Sequence, residues 1–249
     1  MFGTNGGQHI LAGAIDHRET YGRHVLERFV KDLSVQSAVD LGAGTGTDLA
    51  IVKTIHPKCR TIAVEAMALY AGALQGRANE VIVADIEHDR LPFALESIDL
   101  VIANQVLEHT KEVFWIFDQT FRSLKIGGYF FVGVPNVASF HNRLLLLAGI
   151  HPTQHKLCSA HVRPFSKNDT AKFLSICFPG CSIVRFGGAQ FYPFPKTIAR
   201  LLANAFPSLA FSIFFLIRKN SKYSGEFARY PRAATLETNF WCGEGQPDY

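Results

Sequence analysis

The stretch that most constrains this chain is Val39-Asp40-Leu41-Gly42-Ala43-Gly44-Thr45-Gly46-Thr47. An apolar run over residues 38–41 stops at three alternating glycines. A helical pattern then resumes through Asp48, Leu49, Ala50, Ile51, Val52 and Ile55. Strand, glycine turn, helix is the order that lets a backbone approach a nucleotide cofactor closely. Glycine is needed there because a Cβ would block both the tight turn and the ligand. A phosphate-binding loop requires Lys-Ser/Thr after its last glycine, and Thr47-Asp48 stands in that place. A dinucleotide fingerprint requires Gly or Ala where Thr47 stands, so the turn favours a nucleoside without phosphates.

The remainder of the chain alternates. Residues 1–18 read as a lead. From Glu19 a helical pattern carries Tyr21, Val25, Leu26, Phe29, Val30 and Leu33 on one face, with Arg23, Glu27, Arg28, Lys31 and Asp32 on the other. Short apolar strands are predicted to end at Leu41 and over 61–64, 80–84, 98–103, 129–134, 181–186 and 211–217. Between them lie helical stretches: one from Gly46 to His56-Pro57, one over 67–76, and one after Asn104 that Gly127-Gly128 would stop. Further helices are read over 140–150 and from an N-cap at Ser166, with Asp169 behind it, to about Cys177. Residues 220–249 read as polar, aromatic and loop-like. Strands alternating with helices predict an α/β, Rossmann-like, doubly wound sheet in three layers.

With 249 residues, 48% of them hydrophobic, the chain can bury one sizeable core. The net charge of +4 is spread along the chain with no dense basic run, which argues against a nucleic-acid stripe. Cys59, Cys158, Cys177, Cys181 and Cys242 form no CxxC pair, and reduced thiols in a reducing, cytoplasmic setting are expected. Residues 1–13 lack a basic start and an apolar centre, so they are not read as a secretory signal. Residues 201–217 carry no charge, but Pro207 divides them, and they read as a helix and a last strand rather than a membrane span.

Glu65 stands at the end of the second strand, where a carboxylate accepts from both ribose hydroxyls of a nucleoside, and Asp85 stands at the end of the third. With Ala63-Val64-Glu65-Ala66, Val83-Ala84-Asp85-Ile86, Leu91-Pro92-Phe93, residues 98–109 and Gly127-Gly128-Tyr129-Phe130-Phe131-Val132, the chain resembles a class I S-adenosylmethionine-dependent methyltransferase. The likeness is to a bacterial, type 11/23-like subgroup, and it covers residues 35–135 well and 160–219 loosely. It implies a seven-stranded sheet, mostly parallel with an antiparallel last strand. It also implies a capping segment at 1–34, a methyltransferase domain at 35–219 with acceptor-covering insertions near 136–165 and 189–210, and a tail at 220–249.

The same resemblance implies roles. Asp40, Gly42, Ala43, Gly44, Thr45 and Gly46 would line the methionine part of S-adenosyl-L-methionine. Glu65 and Ala66 would hold the ribose, and Asp85 and Ile86 the adenine. Asn104 and Gln105 would border the transferred methyl, and S-adenosyl-L-homocysteine would be the product. Tyr21, Arg23 or His24 of the first helix would close over the methionine carboxylate.

Methyl transfer is an in-line displacement whose rate depends on holding the acceptor atom about 3–3.5 Å from the methyl. An oxygen acceptor also needs a base. The catalytic candidates are His109, Glu108 and His161, with His141 and His155 completing a polar roof over the acceptor. No metal is expected, because no ligand spacing for a His/His/Glu site is visible. Arg163 is read either as a partner for an acceptor carboxylate or phosphate, or as a surface charge.

The predicted acceptor is a small molecule, a sugar or lipid-linked glycan methylated on oxygen. The alternatives are a quinone-like or phenolic lipophilic metabolite, or a cofactor-binding protein without turnover. Residues 190–217 are read as a peripheral membrane contact. No nucleic-acid partner is expected, since Gln105-Val106 follows Asn104 where a Pro-Pro-aromatic motif would stand.

Overall fold

The computed structural model describes residues 21–236, 240, 241 and 243. Helix α1 (Arg23–Val30) precedes β1 (Ser37–Leu41), followed by α2 (Thr47–Ile55), β2 (Arg60–Glu65), α3 (Ala68–Leu74) and β3 (Glu80–Val83). Then come β4 (Ile98–Asn104), a 3₁₀ turn over Leu107–His109, α4 (Val113–Ser123) and β5 (Leu124–Pro135). The last part holds α5 (Phe140–Leu147), α6 (Lys167–Cys177), β6 (Cys181–Ala189), α7 (Lys196–Ala205), β7 (Ser212–Lys219) and α8 (Glu226–Ala233).

One seven-stranded sheet has the order β3-β2-β1-β4-β5-β7-β6, with β7 antiparallel to β5 and β6 and the other pairs parallel. The predicted architecture is therefore borne out. The chain winds outward from β1 through β2 to β3, then jumps back to β4 on the other side of β1. That switch point opens a crevice at the carboxyl ends of β1 and β4, where ligands bind in such sheets.

The strands are buried on both faces, and period-2 alternation sorts their side chains into two cores. Val39, Leu41, Phe130, Val132 and Phe215 face a layer containing α4 and Phe227 of α8. Ala38, Leu100, Ile102, Phe131 and Phe214 face α1 and α2. Phe130 and Phe131, adjacent in sequence, thus serve opposite cores.

Four local expectations are corrected. The glycine pair does not stop α4, which ends at Ser123. Gly127 and Gly128 lie inside β5, where the pairing with β4 jumps from Ile98–Leu124 to Leu100–Tyr129. A Cβ on Gly128 would come within 2.9 Å of the Lys125 carbonyl oxygen, so a side chain cannot pass that irregularity. Helix α5 ends at Leu147 rather than at 150. Helix α8 occupies a segment read as loop, and Phe227, fully buried, packs on Phe117, Phe121, Phe173 and Phe178. Ile213, Phe214, Phe215, Leu216 and Ile217 are sheet core, so membrane contact by that part of 190–217 is ruled out.

No described helix is long and apolar enough to cross a membrane. Cys177 and Cys181 are unlinked, and burial pushes each thiol up to about 12. The lead at 1–18 with Glu19, and Glu237, Thr238, Asn239 and Cys242 near the other end, lie outside the described residues.

Candidate active site

The glycine turn leaves β1 and is tied at once to β2: Gly42 N and Ala43 N both donate to the Val64 carbonyl, at 2.9 and 3.1 Å. Gly42 and Gly44 need glycine for different reasons. Both are left-handed, with φ of 66° and 52°. A Cβ on Gly42 would collide with Val106 Cγ2 at 2.8 Å, whereas one on Gly44 would meet nothing within 4 Å. Gly44 therefore faces open space. That space is a cleft of about 1070 Å³ running from the turn to the end of β4, with Asp40, Gly42, Ala43, Gly44 and Thr45 on one wall. Asn104, Gln105 and His109 form the other wall, and Tyr21, Arg23, Asp48, Met67 and Tyr70 close the rest.

An ionic network builds the end of the cleft beside α1. Asp48 Oδ1 accepts from Arg23 Nε at 2.9 Å, and its Oδ2 accepts from Asn104 Nδ2 at 2.8 Å. Asn104 also donates to the Tyr21 carbonyl at 3.0 Å, and the Arg23 guanidinium lies 4.7 Å from the Tyr21 ring centroid. Helix α1 is thereby pinned across the cleft, with Arg23 as the named contact. Behind it, Asp40 is buried and its carboxyl is raised well above the usual range. Burial is the largest cause, the charges of Asp48 and Glu65 add to it, and Arg23 opposes it.

At the end of β4, Gln105 is held at φ 58° with its amide donating to the Gly133 carbonyl at 2.7 Å. A non-glycine residue in that region stores strain, a feature concentrated at functional sites. Asn104 Oδ1 and Gln105 Nε2 are buried and make no hydrogen bond among the described residues.

Beyond Gln105 stands a second cluster. Glu108, His109 and His161 each offer a ligating atom, all within 4.8 Å of one another. The His109 and His161 rings meet edge to face at 4.7 Å, and His155 lies 6.2 Å from His161. The 160–163 segment is clamped there because Val162 N and Arg163 N both donate to the Glu108 carbonyl, at 2.8 and 3.1 Å. Arg163 reaches the Thr110 and Lys111 carbonyls at 3.4 and 2.6 Å. It is a clamp rather than an acceptor partner. Burial, with little opposing it, pushes the Glu108 carboxyl up to about 8. His161 is lowered by burial and by the neighbouring His109 and His155.

Several predicted residues stand elsewhere. Glu65, buried at the end of β2, accepts from Gly44 N at 2.8 Å and from Met67 N at 3.0 Å, and does not itself line the cleft. Asp85 shapes a turn, accepting from Glu87 N and His88 Nδ1, each at 2.9 Å. Its pKa is lowered because those bonds outweigh burial. Ala66 and Ile86 flank these two carboxylates outside the lining, and Gly46 lies behind the turn, where its Cβ would meet Leu74. His141 stands apart, bonded to Thr153 Oγ1 at 2.9 Å, so the histidine cluster is His109, His155 and His161, of which His109 lines the cleft. Sequence reasoning missed Asp48, Met67 and Tyr70. The available signals were an acid in the first turn of the helix after the glycines, and apolar residues directly after Glu65.

Comparison with known proteins accords with this geometry. Residues 39–132 match the model of the family described as methyltransferase domain. A malonyl-[acyl-carrier protein] O-methyltransferase of Marinomonas sp. (strain MWYL1) is 30% identical over 122 residues, covering 46% of this chain and 44% of that protein. The chain thus spans less than half the length of that relative. Among solved structures, a chain of the Haloferax volcanii complex between the Trm112 methyltransferase activator and a methyltransferase superposes with a TM-score of 0.60 at 14% identity, covering 84% of this chain and 92% of that one. A methyltransferase of Thermotoga maritima gives 0.56 at 18%, covering 82% and 91%. These similarities show the fold. With the family model they bear out the resemblance read from the strand ends: residues 39–132 match a methyltransferase domain, and the sheet has the fold of class I S-adenosylmethionine-dependent methyltransferases.

Proposed function

We propose that this chain transfers the methyl group of S-adenosylmethionine to an oxygen of a small-molecule acceptor, a sugar or lipid-linked glycan first. The observation that carries the reading is the continuity of one cleft from the glycine turn, through Asn104 and Gln105, to His109. Its residues fit the donor. Gly44 leaves a cradle that any Cβ would fill, and two buried polar atoms on Asn104 and Gln105 await partners at the far wall. Asp40, Gly42, Gly44 and Thr45 would hold the methionine part, with Arg23 on the carboxylate and Met67 and Tyr70 against the nucleoside. When bound, the donor supplies an electrophilic methyl on a sulfonium.

The chain's own residues do the remainder. Arg23, Asp48 and Asn104 hold α1 over the cleft and so exclude water. His109 faces the cleft with Glu108 and His161 behind it, at the acceptor end, where a group that orients an oxygen and takes up its proton is required. A lipid carried by the acceptor is supported by apolar side chains left in solvent on the acceptor-covering elements. Leu147 of α5 is 85% exposed and Leu201 of α7 68%, and Tyr192, Phe194 and Phe206 lie close by in sequence. The same surface favours a quinone-like or phenolic acceptor as the second reading, and within 190–217 it leaves residues 192–206 for a peripheral membrane contact.

Calorimetry with S-adenosylmethionine and S-adenosylhomocysteine tests the donor, with Glu65→Ala as the weakened variant. Absence of binding in the wild type would sink the proposal. A screen of glycan, phenol and carboxylate acceptors on the same protein then separates the acceptor classes, and turnover confined to phenols would select the second reading.

A further inference from the structure

We propose that Glu108, His109 and His161 form a binding site for a divalent transition-metal ion at the acceptor end of the cleft. Their ligating atoms lie within 4.8 Å of one another. Metal–nitrogen and metal–oxygen bonds of about 2.0–2.2 Å place tetrahedral neighbours about 3.4 Å apart. Binding would therefore draw the ligating atoms together by up to about 1.4 Å, a movement within the reach of side-chain rotation.

The second observation is independent of spacing. Glu108 is 1% exposed, and its Oε2 accepts no hydrogen bond among the described residues. His161 Nδ1 is likewise buried and without a partner among them. Buried polar groups are ordinarily satisfied, and leaving such atoms unmet carries a desolvation cost. A carboxylate oxygen and an imidazole nitrogen, both unmet and both beside a second imidazole, are what a cation would satisfy.

The outer contacts agree. His109 Nδ1 lies 3.2 Å from the Ala160 carbonyl oxygen. Only a protonated Nδ1 can make that bond, so Nε2 keeps its lone pair for a metal, the arrangement usual for metal-bound histidine. The clamp of Val162 and Arg163 on the Glu108 carbonyl fixes the His161 segment against the 3₁₀ turn that carries the other two ligands. Two imidazoles and one carboxylate suit zinc, cobalt, iron(II) or manganese rather than magnesium or calcium. Three protein ligands leave coordination positions open. His109 lines the cleft while Glu108 is buried, which puts the proposed site in the cleft wall. Resting on the methyl-transfer reading, the ion would hold the acceptor oxygen and make its hydroxyl more acidic, the proton passing to water, because His109 Nε2 on the metal no longer takes it up.

The test uses the full chain, tag-free and stripped with a chelator, titrated with Co²⁺ and Zn²⁺ without donor or acceptor. One equivalent of Co²⁺ with a visible ligand-field band, displaced by Zn²⁺, is expected. Glu108→Gln and His161→Ala should each weaken binding by at least about tenfold while circular dichroism shows both folded. His109→Ala serves as a third variant should one of these fail to fold. No stoichiometric binding by the wild type would overturn the proposal, as would binding unaltered in the folded variants. Because donor binding is measured separately, a failure of the methyl-transfer reading leaves this result standing, and the reverse also holds.

Discussion

Gly44 donates its amide to Glu65 Oε2 at 2.8 Å, so the glycine turn after β1 and the carboxylate at the end of β2 form one unit. The second oxygen of Glu65 accepts from Met67 N at 3.0 Å and sets the entry to α3. The carboxylate thus fixes both the glycine turn and the entry to α3. Glu65→Ala leaves those two N–H groups without their acceptor. It should cost about 1–3 kcal/mol of stability and weaken S-adenosylmethionine binding by more than tenfold. Glu65→Gln should recover part of the stability because its carbonyl oxygen still accepts one bond. Urea unfolding and calorimetry on the two variants separate the contributions, and equal losses in both would contradict this account.

Asp48 bridges Arg23 and Asn104, accepting from one with each oxygen. The Arg23 and Asp48 side chains are 18% and 10% exposed, so solvent screens the pair less than a surface ion pair. A double-mutant cycle of Arg23→Ala and Asp48→Ala should give a coupling of about 0.5–3 kcal/mol in stability. Both single variants should raise the dissociation constant for S-adenosylmethionine through loss of α1 from the cleft. Additive single effects would show that the bridge does not hold the helix.

Asp99 links β4 to β1 and β5. Its Oδ2 accepts from Gln36 N, Ser37 N and Ser37 Oγ at 3.0, 2.9 and 2.9 Å, and its Oδ1 from Lys125 Nζ at 2.7 Å. Burial raises its pKa, but those bonds and the Lys125 charge outweigh burial and leave it below the ordinary 3.8. A depressed carboxylate pKa contributes stability above the unfolded value, and that stability is lost as pH falls through the folded one. Asp99→Asn should therefore cost about 1–2 kcal/mol near neutral pH, toward the low end because the side chain is partly solvated. The difference from wild type should close below about pH 4. Urea midpoints measured across pH 3–7 check both parts.

How much of this was legible in the sequence depends on range. The strands β1, β2 and β4 were legible because burial on both faces demands unbroken apolar runs, and glycines or carboxylates end them abruptly. Glu65 could be placed at a strand end for the same reason. Its partners could not, because the Gly44 amide reaches it only after β1 and β2 pair in register. The approach of His161 to His109, 52 residues back, was readable only as two histidines in loosely patterned segments. What joins them is a main-chain clamp from Val162 and Arg163 to Glu108, and backbone bonds leave no mark in side-chain pattern. Helix α8 was missed because Pro231 inside a polar stretch argues for a loop, although Phe227, Ala228 and Pro231 make one buried face of it. Phe227→Ala should cost about 3–5 kcal/mol, a loss visible as a large fall in thermal midpoint. A near-neutral effect would return the segment to the status of a tail.

Gly42 and Gly44 offer the sharpest separation of folding from binding in the cleft. Each sits in the left-handed region, so alanine at either position costs about 1–2 kcal/mol in backbone energy alone. At Gly42 the new methyl would also press on Val106 Cγ2 at 2.8 Å, inside the sheet-end packing. At Gly44 it would meet no protein atom within 4 Å and would project into the cleft. Gly42→Ala should accordingly lose more stability than Gly44→Ala, because Val106 must shift. Gly44→Ala should keep most of its thermal stability yet bind S-adenosylmethionine at least tenfold more weakly, since the methyl takes space the donor needs. Thermal unfolding with and without the donor reads both quantities on each variant. A folded Gly44→Ala protein that is stabilised by the donor as much as wild type would place the methionine part of the ligand away from this wall.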